Sequence, residues 1–549
     1  MRFFLSLYLL IAGFYLLTAS GRIGRTADCT AMFHVAQSII NEGSFSSEPC
    51  DPRIDTAPLG PLCVPGKNGR FYTGCGLVPS IAVVPALLCA RGLSTVVHVN
   101  PELLAKASVS FFTLLVAPLS CIVLAMWILK LGYSRRTAIL GACILAFGSP
   151  FWQNSVSSFL SDPYFILALL VAAYLLSSPR IRYACALAGF AFGIACGTRI
   201  AGVALFPAYA LSLAFQTRAR RLPWIHFFRD ALEFSVPVAI CGGLIAWTNY
   251  SRFGSIFKTG YHIAFPTVSF TFSNPLLQGI RELLFDGEVG FLLFAPWVIL
   301  AFLCFREFMR THLPESVLCW AIFLINFVFY AKYEQWHGGW VGGPRYLLPT
   351  LPFLIMVIAP TIEATQRRVA IKENQRFWAV QRTLVVLLLA SGFAIQAVTL
   401  TYPRDRYYAD FMFYAHRPLK PWWYGSIPLA ALDYWTRTSI PKTEANYSGP
   451  ARSRTEAPAA SDTWAYPYDH ADTAASEGEF LSLFQHPENL TLPELMVLKR
   501  RLMGLPAKAI YGYLIAVFAI ILAGAVGLIR YTGFQELRSS PPAGAADGT

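Results

Sequence analysis

Charge is scarce in this chain. Asp, Glu, Lys and Arg make up only 14% of its 549 residues, 31 acidic against 44 basic, while 55% are hydrophobic. With mean hydropathy at +0.49, there is too little polar surface for a soluble protein of this length, and long apolar runs place it among multi-pass membrane proteins. Nucleotide-binding signatures are missing as well: no Walker-type loop and no G-x-G-x-x-G follows a strand pattern. Cysteine spacings fit no zinc pattern, and there is no internal repeat. The net charge of +13 does not point to nucleic acid, because the basic residues cluster in short loops between apolar runs, where they act as an orientation signal.

What is present is a series of apolar runs. They start at Phe3–Ser20, read as a retained span rather than a cleaved signal peptide. Others follow at 103–129, 137–149, 163–177, 183–197, 201–215, 231–249, 288–305, 316–331, 346–362, 383–400 and 509–529, about twelve spans in all. With the N-terminus inside, the basic loops fall on the inner side: Lys130/Arg135/Arg136, Arg180/Arg182, Arg218–Arg229, Arg306/Arg310, Arg367–Arg382 and Arg530/Arg538. Lys499, Arg500, Arg501 and Lys508 fall outside on this map, and long translocated regions obey the charge rule poorly. The stretch 77–93 is apolar but short and interrupted by Pro79 and Pro85, so it reads as a re-entrant or surface helix.

The predicted organisation is a transmembrane module over 1–401, whose first outer loop is 21–102. An outer region, 402–507, contains a Ser/Ala/Pro/Thr-rich flexible insert at 441–478. A last span follows at 508–530, then a disordered tail over 531–549.

Eight of the twelve cysteines lie in apolar runs and read as core residues. The other four, Cys29, Cys50, Cys63 and Cys75, share one polar loop, where an oxidising compartment would permit one or two disulfides. Directly after the first span, RTADCTAMFHVAQSIINEG (25–43) carries Asp28 in the first turn of an amphipathic helix stopped by Gly43. The unusual polar residues collect in outer loops: NGRFYTGCGLVP (68–79), SFLSDP (158–163), GTR (197–199), NYSRFGSIFKTGY (249–261) and YEQWHGGWVGGPRYLLP (333–349). A transporter more often places polar groups at mid-bilayer; collection at one face suits an enzyme acting on a lipid headgroup.

Four of these signatures, in order over about 20–362, resemble the multi-pass GT-C glycosyltransferases. The resemblance is to the bacterial enzymes similar to protein O-mannosyltransferases, which use a polyprenyl-phosphate-linked sugar. They are the acid plus amphipathic helix followed by GRFYTGCGLVP, the SDP at the head of a span, NYSRFGSIFKTGY, and WHGGWVGGPRYLLPTLP. The family's Ser-Pro-Gly-Lys-Gly-like segment is replaced here by DGEVG at 286–290.

The resemblance implies an all-α, GT-C-like fold with juxtamembrane helices in the first outer loop, in a bacterial cytoplasmic membrane with the site outside. It implies Asp28 as the base for an acceptor hydroxyl, with Asp162 assisting, in an inverting-type displacement. Arg345, Arg199, Lys258 and Lys106 are the candidates for the donor phosphate, and Tyr72, Tyr261, Trp336, His337 and Trp340 for the sugar and acceptor pocket. The partners implied are membrane lipid, the lipid-linked sugar as co-substrate, and a protein, lipid or glycan acceptor. No cofactor is expected, with a divalent metal left open.

Each residue also has a plain structural reading. Asp28 suits a helix N-terminus, Asp162 a cap before Pro163, Arg345 a snorkelling interfacial cation, and the tryptophans an aromatic belt. Two other functions remain alongside: a flippase of a lipid-linked sugar, and a non-catalytic relative.

Overall fold

A computed structural model describes residues 1–23, 27–48, 64–96, 100–157, 159–178, 181–260, 272–287, 289–333, 336, 338, 343–370, 375–402 and 507–539. The region 403–506, with its expected insert, and the tail 540–549 lie outside the described residues. The chain is an α-helical, multi-pass membrane protein. Its helices are α1 Arg2–Leu17, α2 Ala27–Glu42, α3 Val78–Ala82, α4 Val84–Ser94, α5 Pro101–Lys130, α6 Arg135–Phe147, α7 Phe151–Ser157, α8 Asp162–Leu176 and α9 Ala184–Thr198. After a 3₁₀ turn at Ile200–Leu205 come α10 Phe206–Ala219, α11 Trp224–Phe253, α12 Leu276–Phe285, α13 Phe291–Phe294, α14 Val298–Thr311 and α15 Leu313–Lys332. A second 3₁₀ turn, Arg345–Thr350, leads into α16 Leu351–Ala370, followed by α17 Gln375–Thr401 and α18 Ala507–Ser539. A two-stranded antiparallel sheet pairs β1 Val64–Pro65 with β2 Phe71–Tyr72.

Seven helical segments are long and apolar enough to cross a membrane: 101–130, 200–219, 224–253, 313–332, 345–366, 382–401 and 508–531. The other expected windows fall on helices of 13 to 16 residues, about 20–24 Å long against a hydrocarbon core of about 30 Å. The window 288–305 is not one helix. It breaks after α13 at Ala295–Trp297, where Pro296 cannot continue the ladder. The stretch 77–93 forms α3 and α4, which are 5 and 11 residues long and too short to span.

Apolar character all round a helix marks one surrounded by protein. Leu351 and the run Phe353–Ala359 of α16 are all 0% exposed, so α16 is the central post of the bundle. Helices at the rim of the bundle turn apolar side chains outward, as lipid contact requires. Leu232, Ile240, Leu244 and Trp247 line the outer face of α11, and Ile515, Leu522 and Ile529 that of α18.

Two close approaches set the packing. A Cβ on Gly189 would stand 2.0 Å from the Phe234 carbonyl oxygen, so α9 meets α11 backbone to backbone. α1 and α18 close on each other in the same way. A Cβ on Gly13 would meet Ile521 at 2.5 Å, and one on Gly524 would meet the Leu10 nitrogen at 2.5 Å. Small residues at such crossings let dispersion contacts replace the missing hydrophobic drive within lipid.

Candidate active site

Four elements converge at one end of the bundle. Asp28 lies in the first turn of α2, Asp162 opens α8, Arg199 follows the last residue of α9, and Arg345 opens the 3₁₀ turn before α16. Arg345 bridges both acids. Its Nη2 donates to Asp28 Oδ2 at 2.8 Å and its Nε to Asp162 Oδ2 at 3.2 Å, while Nη1 donates to the Gly338 carbonyl at 3.3 Å. Arg199 donates through Nη2 to the same Asp162 oxygen at 2.8 Å, and through Nε to Ser161 Oγ at 3.0 Å. The result is a zigzag of alternating charge, Asp28–Arg345–Asp162–Arg199, with two positive and two negative groups.

Local sequence puts each group there. Gly343 at φ +87° and Gly338 at φ +77° adopt left-handed backbone that glycine takes without strain, which brings the 338 carbonyl and Arg345 together. At Arg199 the backbone turns extended, φ −142° and ψ 118°, between the end of α9 and the 3₁₀ turn. Asp162 does not serve as a cap. Pro163 begins the helix, but Ser161 at the N-cap makes no side-chain cap bond, because its hydroxyl accepts from Arg199. The Asp162 carboxylate is turned to the arginines.

Burial decides what these contacts mean. The Asp162 side chain is 0% exposed, Arg345 8%, Arg199 12% and Asp28 22%. A buried carboxylate with paired charges costs desolvation that only good geometry offsets, yet two polar atoms here are unspent. Among the described residues Asp162 Oδ1 and Arg199 Nη1 are buried with no hydrogen-bond partner. One acceptor and one donor are thus left inside an otherwise matched cluster, as expected of groups placed for a ligand. For Asp28, burial alone would raise the pKa. The adjacent Arg345 charge and hydrogen bond outweigh it and, with Arg199, hold the carboxyl below its ordinary range.

The remaining expected residues divide. Lys106 pairs with Glu102 of its own helix at 2.5 Å and does not join the cluster. Lys258 is exposed. Tyr72 lies away from the four charged groups. It is 7% exposed in a small core with Val64 and Phe253, edge to face with Phe253 at 5.9 Å. Trp336 is half-buried against the main core. Tyr261, His337 and Trp340 lie outside the described residues.

Cys29 and Cys75 are buried and are not joined to each other, and Cys50 and Cys63 lie outside the described residues. Cys75 Sγ stands 3.6 Å from Asp28 Oδ1. Sequence reading also passed over the ring stack of Tyr330 on Tyr346, with centroids 4.2 Å apart and planes 2° from parallel, next to Arg345. Its only signal was a tyrosine beside the arginine. Among the described residues one group of three potential metal ligands occurs, Cys185, Asp230 and Glu233. It lies at the far end of α9, with Asp230 engaged by Arg229 at 3.0 Å.

No family model and no curated protein matches the chain. Among solved structures it is similar to ArnT from Cupriavidus metallidurans in the apo state, at 13% identity and TM-score 0.44, covering 78% of this chain and 76% of that one. The same protein bound to undecaprenyl phosphate gives 14% identity and TM-score 0.42 with the same coverage. The oligosaccharyltransferase of Archaeoglobus fulgidus tethered with an acceptor peptide gives 13% identity and TM-score 0.44, over 71% of this chain and 56% of that one. Likenesses this distant leave function to be read from the site.

Proposed function

We propose that the chain is a GT-C-type glycosyltransferase. It moves one sugar, of the hexosyl or mannosyl kind, from a polyprenyl-phosphate-linked donor to an acceptor outside the cytoplasm. The observation that carries this reading is the buried Asp28–Arg345–Asp162–Arg199 cluster with its unspent acceptor and donor; Asp28, Asp162 and Arg345 come from three of the four motif segments and Arg199 from the GTR turn.

The acceptor oxygen attacks the anomeric carbon as the bond from that carbon to the phosphate oxygen breaks. The electron pair leaves with the lipid phosphate, and the acceptor proton passes to Asp28. Attack opposite the leaving group inverts the anomeric centre. Negative charge grows on the departing phosphate, where Arg345 and Arg199 supply fixed, desolvated cations. Asp162 holds the two guanidinium groups in place and orients the acceptor through Oδ1.

A carboxylate locked to an arginine is a weak base. An incoming phosphate competes for Arg345, loosens the 2.8 Å bond to Asp28, and returns basicity to Asp28 as the donor seats.

The test is incorporation of radiolabelled sugar from polyprenyl phosphate donors, in membranes carrying wild type or Asp28→Asn at equal expression. A wild-type product lost in the variant supports transfer with Asp28 as base. Equal activity in both removes Asp28 and moves the role to Asp162. No product from any donor, with lipid translocation intact, favours a flippase.

A further inference from the structure

Every charged group in the cluster has a part in the proposed reaction. The thiol that touches it does not. We propose that Cys75 is a positioning residue for Asp28: its S–H fixes Oδ1 while Arg345 fixes Oδ2, so the carboxylate cannot turn about its Cβ–Cγ bond. This rests on the reading of Asp28 as the base.

The geometry comes from several directions. Cys75 Sγ lies 3.6 Å from Asp28 Oδ1, on the opposite side of the carboxylate from the 2.8 Å bond between Oδ2 and Arg345. The thiol is 7% exposed. Burial and the neighbouring Asp28 charge both hold it protonated, so it faces the carboxylate as a donor.

The loop that carries it has no room to swing. The Cys75 backbone N–H donates to Thr73 Oγ1 at 3.1 Å, and the Thr73 carbonyl accepts from Arg252 Nη1 at 3.1 Å. A Cβ on Gly76 would stand 2.2 Å from the Thr198 carbonyl oxygen, and one on Gly260 would stand 2.4 Å from the Gly74 Cα. Arg252 is itself 6% exposed and tied to the last turn of α11 through the Thr248 carbonyl and Asn249 Oδ1. A continuous run of contacts therefore leads from the end of α11 through Arg252, Thr73 and Cys75 to Asp28.

The choice of sulfur has a physical reason. A hydroxyl donating to an ionised carboxylate makes a strong, charge-assisted bond that suppresses basicity. A thiol is a weak donor. It sets direction at less cost to the proton affinity that a base needs.

The experiment compares Cys75→Ala and Cys75→Ser with wild type in the sugar-transfer assay, with thermal unfolding in detergent as the folding control. Cys75→Ala is expected to lower kcat about tenfold, with donor KM within about twofold, and to move the acidic limb of kcat to higher pH. Arg345, Arg199, Tyr346 and, across Arg345, Asp162 also face Asp28. All are common to the three proteins, so the difference belongs to position 75. Cys75→Ser is expected to restore kcat and move the limb to lower pH, because the O–H donor is stronger.

Unchanged kcat and pH profile in Cys75→Ala overturns the inference, as does a folded Cys75→Ser as slow as Cys75→Ala. If Cys75→Ala does not fold, Cys75→Ser decides alone, and an unmoved limb overturns the inference. Asp28→Asn, run alongside, keeps the two readings apart. An active Asp28→Asn removes the base, whereas an inactive one beside a wild-type-like Cys75→Ala removes only the thiol's role. In the double variant, Cys75→Ala should add nothing to Asp28→Asn.

Discussion

Two buried carboxylates sit near opposite ends of the span Arg345–Gln366, and they are satisfied in different ways. Glu363, 8% exposed, accepts from the Ser134 backbone N–H at 3.0 Å, Ser134 Oγ at 2.6 Å and Thr137 Oγ1 at 2.6 Å. These three bonds come from neutral donors at the start of α6, whose positive dipole end favours an anion. Asp162, 0% exposed, takes two guanidinium groups from residues 37 and 183 positions away and keeps one oxygen bare. The first arrangement closes a helix end with three short local contacts on one oxygen. The second concentrates charge, draws on distant parts of the chain and withholds a lone pair. What sets the Asp162 oxygen apart from other buried polar atoms is that it stands among two buried arginines and a second acid.

The largest expected effect comes from breaking the shared clamp. Arg345→Met leaves Asp28 and Asp162 facing each other without their common cation. Thermal unfolding in detergent should show a loss of about 3–5 kcal/mol, with transfer abolished. Asp28→Asn should be milder on stability, because its amide oxygen still accepts from Arg345, while sugar incorporation falls about 10²–10⁴-fold.

At the other end, Glu363→Gln should cost about 1–3 kcal/mol of stability and leave turnover per folded molecule unchanged. A loss of turnover there would erase the contrast between the two carboxylates. The smallest effect concerns pH. Asp28 is depressed in the folded state, so its stabilising contribution is present above the ordinary carboxylate value of about 3.9 and is lost as pH falls through the lower folded value. Unfolding followed between pH 7 and pH 3 should therefore show the Asp28→Asn difference shrinking only at the acidic end.

Much of the bundle was legible because apolar runs announce helices, and every expected window holds one. The break at Pro296 and the short helices were less so: hydropathy averages over a window and does not see where a 3.6-residue ladder ends. Asp28, Asp162, Arg199 and Arg345 were nominated one at a time, and all but Arg199 carried a plain structural alternative. Pairing them needed coordinates, because Asp28 and Arg345 are 317 residues apart and no periodicity spans that distance. The packing of Tyr72 on Phe253 was not legible, because an aromatic in a Gly-rich loop reads alike whatever its ring faces. Cys75 was counted with the other loop cysteines, and nothing in its spacing points to a carboxylate.

The glycine-lined crossing of α1 and α18 has a consequence in time. α1 ends at Leu17 and its partner begins at Ala507. At about 5–20 residues per second, a ribosome needs roughly 25–100 s to make the intervening chain. Throughout that interval the notch at Gly13 faces lipid or a borrowed neighbour, while the other side of α1 is already held by α5 and α6 through Tyr8 and Tyr15.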